Sequence, residues 1–107
     1  MIKVKIWRNG GRIVACEVTG HAGAGEKGQD IVCAAVSALT ETALLGLGRY
    51  AGIRLDYEVS QQPALLFFTL KDAPNDKTDA ILETMLLGLT EIAGTYRNSL
   101  ELAEYRR

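Results

Sequence analysis

The chain has 107 residues, of which 48% are hydrophobic and 23% charged, and its formal net charge is −1. This length allows one two-layer core but not two, and the composition excludes a disordered chain. The only basic run is Arg106-Arg107, which excludes the clustered basic footprint of nucleic-acid-binding proteins. We therefore expect one domain over residues 1–107 and no direct nucleic-acid partner.

The N-terminus predicts neither a signal peptide nor a membrane span. Residues 1–5 begin an alternating pattern without the basic-then-apolar order of a signal peptide, and we expect no apolar run of membrane-spanning length. The protein is accordingly expected in the cytoplasm, without a membrane partner. In that reducing compartment Cys16 and Cys33 are expected to be free thiols.

The first third of the chain predicts a β-hairpin. Apolar residues alternate over residues 2–6, and Asn9-Gly10-Gly11 suits a tight turn because Asn and Gly tolerate positive φ. The second strand is expected over residues 12–20. Its predicted core-facing residues are Val14, Cys16 and Val18. On this pattern, Cys16 is interpreted as a small buried core residue.

A long helix is predicted from Gln29 or Asp30 to about Tyr50. Asp30 suits the N-cap, which would leave Cys33 in the first turn. The predicted buried stripe of this helix consists of Ile31, Val32, Ala35, Leu39, Ala43, Gly46, Leu47 and Tyr50. The many small residues in this stretch favour close approach of the sheet or of another helix.

The second half of the chain repeats the hairpin-then-helix order. Strands are predicted over residues 53–60 and 64–70, a helix over 76–96 with Asn75 as its cap, and a short final strand after residue 100. The buried stripe of this helix is expected at Ala80, Ile81, Met85, Leu89, Ile92, Ala93 and Tyr96. The predicted fold is an α+β two-layer sandwich, with a mainly antiparallel sheet of four or five strands packed on two long helices.

His21 and Cys33 form the candidate reactive pair. A thiol near a helix N-terminus favours the thiolate, and an imidazole within reach favours it further. The intervening segment contains Gly23, Gly25 and Gly28, which open backbone conformations that bring the two groups together. The hypothesis is a Cys–His active site beneath a flexible loop.

Both residues also have a purely structural interpretation. His21 suits a strand-end residue that bonds to backbone, and Cys33 suits a helix residue packed on the sheet. The loop lacks the Gly-Lys-Ser/Thr ending of a nucleotide-binding loop. One histidine and two cysteines fall short of a four-ligand zinc set, so we expect no metal and no cofactor.

The segment from Gly20 to Ser37 resembles a known signature. Gly20-His21-Ala22, Gly28 and the run from Asp30 to Ser37 resemble the bacterial ribosomal-processing cysteine proteases, the Prp or YsxB-like family. The resemblance covers essentially the whole chain. One departure is Ala24-Gly25, where relatives often carry a bulkier, frequently aromatic residue.

The resemblance implies a homodimeric cytoplasmic endopeptidase that removes a short N-terminal extension from the large-subunit ribosomal protein numbered twenty-seven. It implies Cys33 as nucleophile and His21 as general base, with Asp30 and Ser37 as orienting or supporting residues. The substrate loop would include Gly20, Ala22, Gly23, Gly25 and Gly28. An apolar substrate groove beside Cys33 is expected, with Leu39 and Tyr50 as candidate contributors.

Two other functions compete with the protease. One is a non-enzymatic dimeric binding module that docks on ribosomal proteins or assembly intermediates. The other is a redox or regulatory thiol. Dimerisation is predicted separately, because the strand over residues 64–70 is apolar on both faces and the second helix is apolar.

Overall fold

The computed structural model describes residues 1–20 and 29–107, with side chains described from Ile31 onward in the second range. Five strands and two long helices form the predicted α+β two-layer sandwich, which is confirmed. The elements are β1 Ile2–Asn9, β2 Arg12–Thr19, α1 Gln29–Leu45, a π-helical turn Gly46–Tyr50, β3 Leu55–Gln61, β4 Ala64–Leu70, α2 Asp76–Thr95 and β5 Leu100–Arg106.

The sheet has the strand order β3-β4-β2-β1-β5. Neighbouring strands pair antiparallel except β1 and β5, which are parallel. The sheet is therefore mixed, and the C-terminal segment is a full strand of it. Both helices pack on one face of the sheet. Because β3 is first in the strand order, it is an edge strand, and its residues Tyr57 and Val59 are largely exposed.

A β-bulge changes the face that the start of β2 presents to the core. The β1–β2 register shifts between Trp7 and Arg8, so that Ile13 rather than Val14 joins Cys16 in the core. The expectation for Val14 is wrong because a bulge inserts one residue and reverses the alternation beyond it. Strict period-two alternation cannot anticipate that insertion.

The predicted buried stripes of the helices are correct only in part. In α1 the buried apolar positions include Val32, Val36 and Ala43, whereas Ile31 and Tyr50 are exposed. In α2 the buried residues are Thr78, Leu82, Met85, Leu86 and Leu89. The error has a physical cause, because each helix has one apolar side on the sheet and another toward the neighbouring helix. Apolar spacing alone does not tell these two sides apart.

The expectation of no membrane-length apolar run needs correction. Within the 20-residue stretch Ile31–Tyr50, an 18-residue window has a mean hydropathy of 1.7, and the length and composition of the stretch would allow it to cross a membrane. In the fold, Val32, Val36, Ala43 and Leu47 of this stretch belong to the core between helix and sheet. Packing in the core accounts for part of its apolar character, since 28% of the apolar window is buried.

Two arginines of the first hairpin attach it to α2. The Arg8 guanidinium donates to both carboxylate oxygens of Glu83 at 2.7 and 3.0 Å, and Arg12 donates to Asp79 at 2.7 Å. The N-terminus of α2 is closed by Asn75, which accepts from the Thr78 backbone N–H at 3.0 Å, as predicted. This half of the molecule is therefore held by paired charges as well as by apolar packing.

Candidate active site

Cys33 lies on α1 at the wall of a cleft. The helix begins at Gln29, so Cys33 is its fifth residue and starts the second turn rather than the first. Its thiol is half-buried. Because helical side chains lean toward the N-terminus, the Cys33 side chain covers the first turn, where backbone N–H groups lack helical partners.

The cleft separates the N-terminal half of α1 from the β3–β4 end of the sheet and has a volume of about 150 Å³. Helix α1 contributes Cys33, Ser37 and Glu41, which are spaced four residues apart and so share one side of the helix. The sheet contributes Val18, Gly20, Val59, Ser60, Gln61 and Leu66. The cleft is thus lined by both apolar and polar residues, with polar side chains contributed by the helix and by the sheet.

Gly20 directly follows β2 and has a conformation that requires glycine. Its φ is +84°, and a Cβ placed on it would lie 2.5 Å from the Met1 carbonyl oxygen. Any side chain here would collide with backbone. Gly20 lines the same cleft as Cys33, and it directly precedes His21 in the sequence.

Cys16 is chemically different from Cys33. It is fully buried in the core, and burial, followed by the charge of neighbouring Glu17, raises the pKa of its thiol to about 12. A buried, protonated thiol is a poor nucleophile. The interpretation of Cys16 as a core residue is confirmed, as is the prediction that both cysteines are free.

The other predicted site residues fall into three groups. Ser37 is exposed and lines the cleft one turn from Cys33. Asp30 is the second residue of α1, so the prediction that it is the N-cap is wrong, since its own backbone is already helical. Its side chain lies outside the described residues. The predicted residues His21, Ala22, Gly23, Gly25 and Gly28, together with the departure at Ala24, also lie outside them.

The second wall of the cleft was not predicted from the sequence, and two residues predicted for the substrate groove lie elsewhere. Ser60, Gln61 and Ala64 belong to the β3–β4 hairpin and line the cleft, although nothing in their local pattern distinguishes them from ordinary hairpin residues. Leu39 and Tyr50 line a different groove, between α1 and α2. They were misplaced because side chains on opposite sides of a helix can have similar apolar spacing.

The described part of the chain contains no set of metal ligands. Among the described side chains, those of residues 1–20 and 31–107, no three His, Cys, Asp or Glu side chains are grouped so that they could hold an ion. The described chemistry of the cleft is therefore that of one accessible thiol with neighbouring hydroxyl, amide and carboxylate groups.

Comparison with known proteins agrees with this arrangement. The family model described as cysteine protease Prp matches residues 1–101. A curated relative, the ribosomal processing cysteine protease Prp of Staphylococcus aureus, is 34% identical over 106 residues, which cover 95% of this chain and 97% of the relative.

Solved structures agree over the same length. SMU.848 from Streptococcus mutans superposes with a TM-score of 0.89 at 29% identity, covering 100% of this chain and 96% of that one. S. aureus Prp, crystallised with a covalently linked product peptide, gives 0.86 at 31% identity, with coverage of 97% and 99%. Its complex with a substrate peptide gives 0.88, with the same identity and coverage. Because sequence and fold agree along nearly the whole chain, this protein belongs to the cysteine protease Prp family and is a cysteine protease.

Proposed function

We propose that this protease removes a short N-terminal extension from the large-subunit ribosomal protein numbered twenty-seven, with Cys33 as nucleophile and His21 as general base. The observation that carries the proposal is the position of Cys33, half-buried on a cleft that Gly20 also lines. Since His21 follows Gly20 directly, the chain enters the His21 segment at the edge of this cleft.

The contrast between the two thiols supports Cys33. A cysteine protease needs a thiol that a peptide can reach, and Cys16 is sealed in the core with a raised pKa. Cys33 is the other cysteine of the chain. The burial of Cys16 therefore supports Cys33 as the nucleophile, in addition to the resemblance.

The first half of the proposed reaction forms a thioester. His21 takes the proton from the Cys33 thiol, and the thiolate attacks the carbonyl carbon of the scissile peptide bond. The tetrahedral intermediate collapses when the imidazolium gives its proton to the leaving amine. The peptide downstream of the cut then departs with a new N-terminus, and the extension stays bound to Cys33 as an acyl group.

The second half releases the extension. A water gives a proton to His21 and attacks the thioester carbonyl, and the thiol is restored with a free carboxylic acid as product. Because α1 begins at Gln29, the N–H of Cys33 faces the Gln29 carbonyl in a regular helix. The donors for the developing oxyanion are then the unpaired N–H groups of the first turn, toward which the Cys33 side chain leans.

Asp30 and Ser37 have supporting parts in this proposal. Asp30 lies in the first turn of α1, where a carboxylate interacts favourably with the helix dipole. In this proposal the Asp30 carboxylate orients the His21 imidazole. Ser37 lies on the cleft one turn beyond Cys33, where its hydroxyl is available to hydrogen-bond the peptide backbone.

The names of the relatives support a peptide substrate from the ribosome. The S. aureus enzyme is named a ribosomal processing protease and has been crystallised with a substrate peptide and with a covalently linked product peptide. A covalently linked peptide is what a nucleophilic cysteine would produce. The apolar residues that line the present cleft, including Val59 and Leu66, suit the apolar substrate groove that the resemblance implies.

Homodimerisation and a cytoplasmic location belong to the same proposal. Large apolar side chains remain exposed on both helices, among them Ile31, Tyr50 and Leu87, and Leu65 and Phe67 of β4 are only half-buried. Exposed apolar residues of this kind favour association. Sedimentation at micromolar concentration tests the dimer, and a monomer under those conditions would contradict it.

The cleavage reaction is tested with the purified protein and the full-length ribosomal-protein precursor. Mass spectrometry should show one new N-terminus after the short extension. The Cys33→Ala variant should leave the precursor intact, whereas Cys16→Ala should still process it. An intact precursor with the wild-type protein would contradict the proposed substrate.

A further inference from the structure

The cleft beside Cys33 contains one charged side chain among the described residues that line it. That side chain is Glu41, and the other described lining residues are apolar or neutral. Glu41 is exposed on α1. No ion pair or hydrogen bond within residues 1–20 and 29–107 engages its carboxylate.

Several other carboxylates of the protein are already neutralised by arginine. Asp72, Asp79 and Glu83 each lie 2.7 Å from a guanidinium nitrogen. A ligand would have to break those pairs to use these groups, whereas the Glu41 carboxylate has no described pair to give up. The negative charge of Glu41 is therefore open toward the cleft.

The position of Glu41 along α1 fixes its distance from the reacting centre. It lies eight residues beyond Cys33, with Ser37 midway between them. A helix rises 1.5 Å per residue, so about 12 Å separates Cys33 from Glu41 along the axis. An extended peptide advances about 3.3 Å per residue, so the same distance corresponds to roughly three or four peptide residues.

We infer that Glu41 is a specificity residue that selects peptides with a lysine or arginine three or four residues from the scissile bond. The inference rests on the proposed function, because it places the scissile bond at Cys33. A cationic side chain there would pair with Glu41 while the scissile carbonyl meets the thiol. Because the pair is partly solvated, we expect an effect of about two- to fivefold on kcat/KM for each neutralising change.

The test uses peptides that span the cleavage site of the ribosomal-protein precursor. Each peptide carries one substitution, to Lys, Gln or Glu. The substituted positions lie two to five residues from the scissile bond, on either side. We expect the wild-type enzyme to prefer Lys over Glu at the third or fourth position on one side of the scissile bond, and not at the second or fifth. Glu41→Gln should remove that preference, and Glu41→Lys should reverse it.

Two controls separate charge recognition from a structural effect. Glu91 is exposed on α2 and does not line the cleft, so Glu91→Lys should keep the wild-type preference. Added NaCl should weaken the preference, because salt screens exposed charges. Equal thermal unfolding temperatures for wild type and the Glu41 variants would exclude a folding defect.

The outcomes distinguish this inference from the proposed function. If the parent peptide is cleaved but Glu41→Lys keeps the wild-type charge preference, or slows every peptide by the same factor, the specificity role is wrong and the protease assignment stands. If the wild-type enzyme cleaves neither the parent peptide nor the full-length precursor, the proposed substrate fails and this inference fails with it.

Discussion

Helix α1 has two sides that differ in chemistry. The side toward β3 and β4 forms the cleft of about 150 Å³ with Cys33, Ser37 and Glu41. The side toward α2 forms a groove of about 650 Å³ whose lining includes Leu39 and Ile81 and no cysteine. The larger and more apolar of these two depressions therefore lacks a cysteine. The candidate active site is identified by the position of the Cys33 thiol, because choosing the larger cavity would have selected the wrong side of the helix.

The largest expected effect tests the difference between the cleft thiol and the core thiol. Cys33→Ala should reduce precursor cleavage by at least about 10³-fold, because the covalent step needs the sulfur. Its unfolding temperature should stay close to that of wild type. Cleavage is measured by mass spectrometry with Cys16→Ala as the matched control. If Cys16→Ala loses activity and Cys33→Ala keeps it, the two thiols have been assigned the wrong way round.

A second test sharpens the distinction between the sheet-facing and groove-facing sides of α2. Leu82 is fully buried, whereas its neighbour Ile81 is half-buried at the groove. Leu82→Ala should lower the free energy of unfolding by about 2–5 kcal/mol through cavity formation. Ile81→Ala should lower the free energy of unfolding by at least about 1 kcal/mol less than Leu82→Ala does, because the Ile81 side chain is already partly exposed to solvent. Urea denaturation measures both, and equal losses would show that the groove side is also core.

A third test concerns the strand end that borders the cleft. Gly20→Ala should destabilise the protein by about 1–3 kcal/mol, because a non-glycine residue at positive φ is strained and its Cβ would meet the Met1 carbonyl. Gly10→Ala is the control, since Gly10 has a φ of +59° but no atom within 4 Å of the added Cβ. If both variants lose the same stability, the close contact at Gly20 contributes nothing.

The smallest expected effect is a pH dependence that originates in the core. The folded state raises the Cys16 pKa from 9.0 to about 12, so between these pH values the unfolded chain loses a proton that the folded protein keeps. Stability should therefore fall as the pH rises, by on the order of 1 kcal/mol between pH 9 and 10. Cys16→Ala should show a flatter profile in chemical denaturation. Parallel profiles for the two proteins would count against a buried, protonated Cys16.

The sequence predicted much of the fold because its signals are local. Strict alternation identified β3, and a run that is apolar on both faces identified β4. Asn75 with a helical run after it identified the start of α2, where the structure shows the expected cap. The parallel pairing of β5 with β1 could not be predicted, since pairing depends on contacts between residues about a hundred positions apart. The β2 bulge was missed for a related reason, because it depends on the partner strand.

The candidate site was predicted in part. Cys33 and Ser37 were identified, and the structure brings both to one cleft. The opposite wall, with Ser60 and Gln61, comes from a hairpin more than twenty residues further along the chain, so no local pattern revealed it. The pairing of His21 with Cys33 stays a prediction, since His21 lies outside the described residues.

The assignment of the reacting thiol is tested most directly by covalent trapping. The native protein is treated with a chloromethyl ketone made from the extension peptide, and the modified residue is mapped by tandem mass spectrometry after proteolysis. The account predicts one adduct per chain, on Cys33, and loss of activity in proportion to that adduct. Inactivation with Cys33 unmodified, or an adduct on Cys16 in the folded protein, would contradict it.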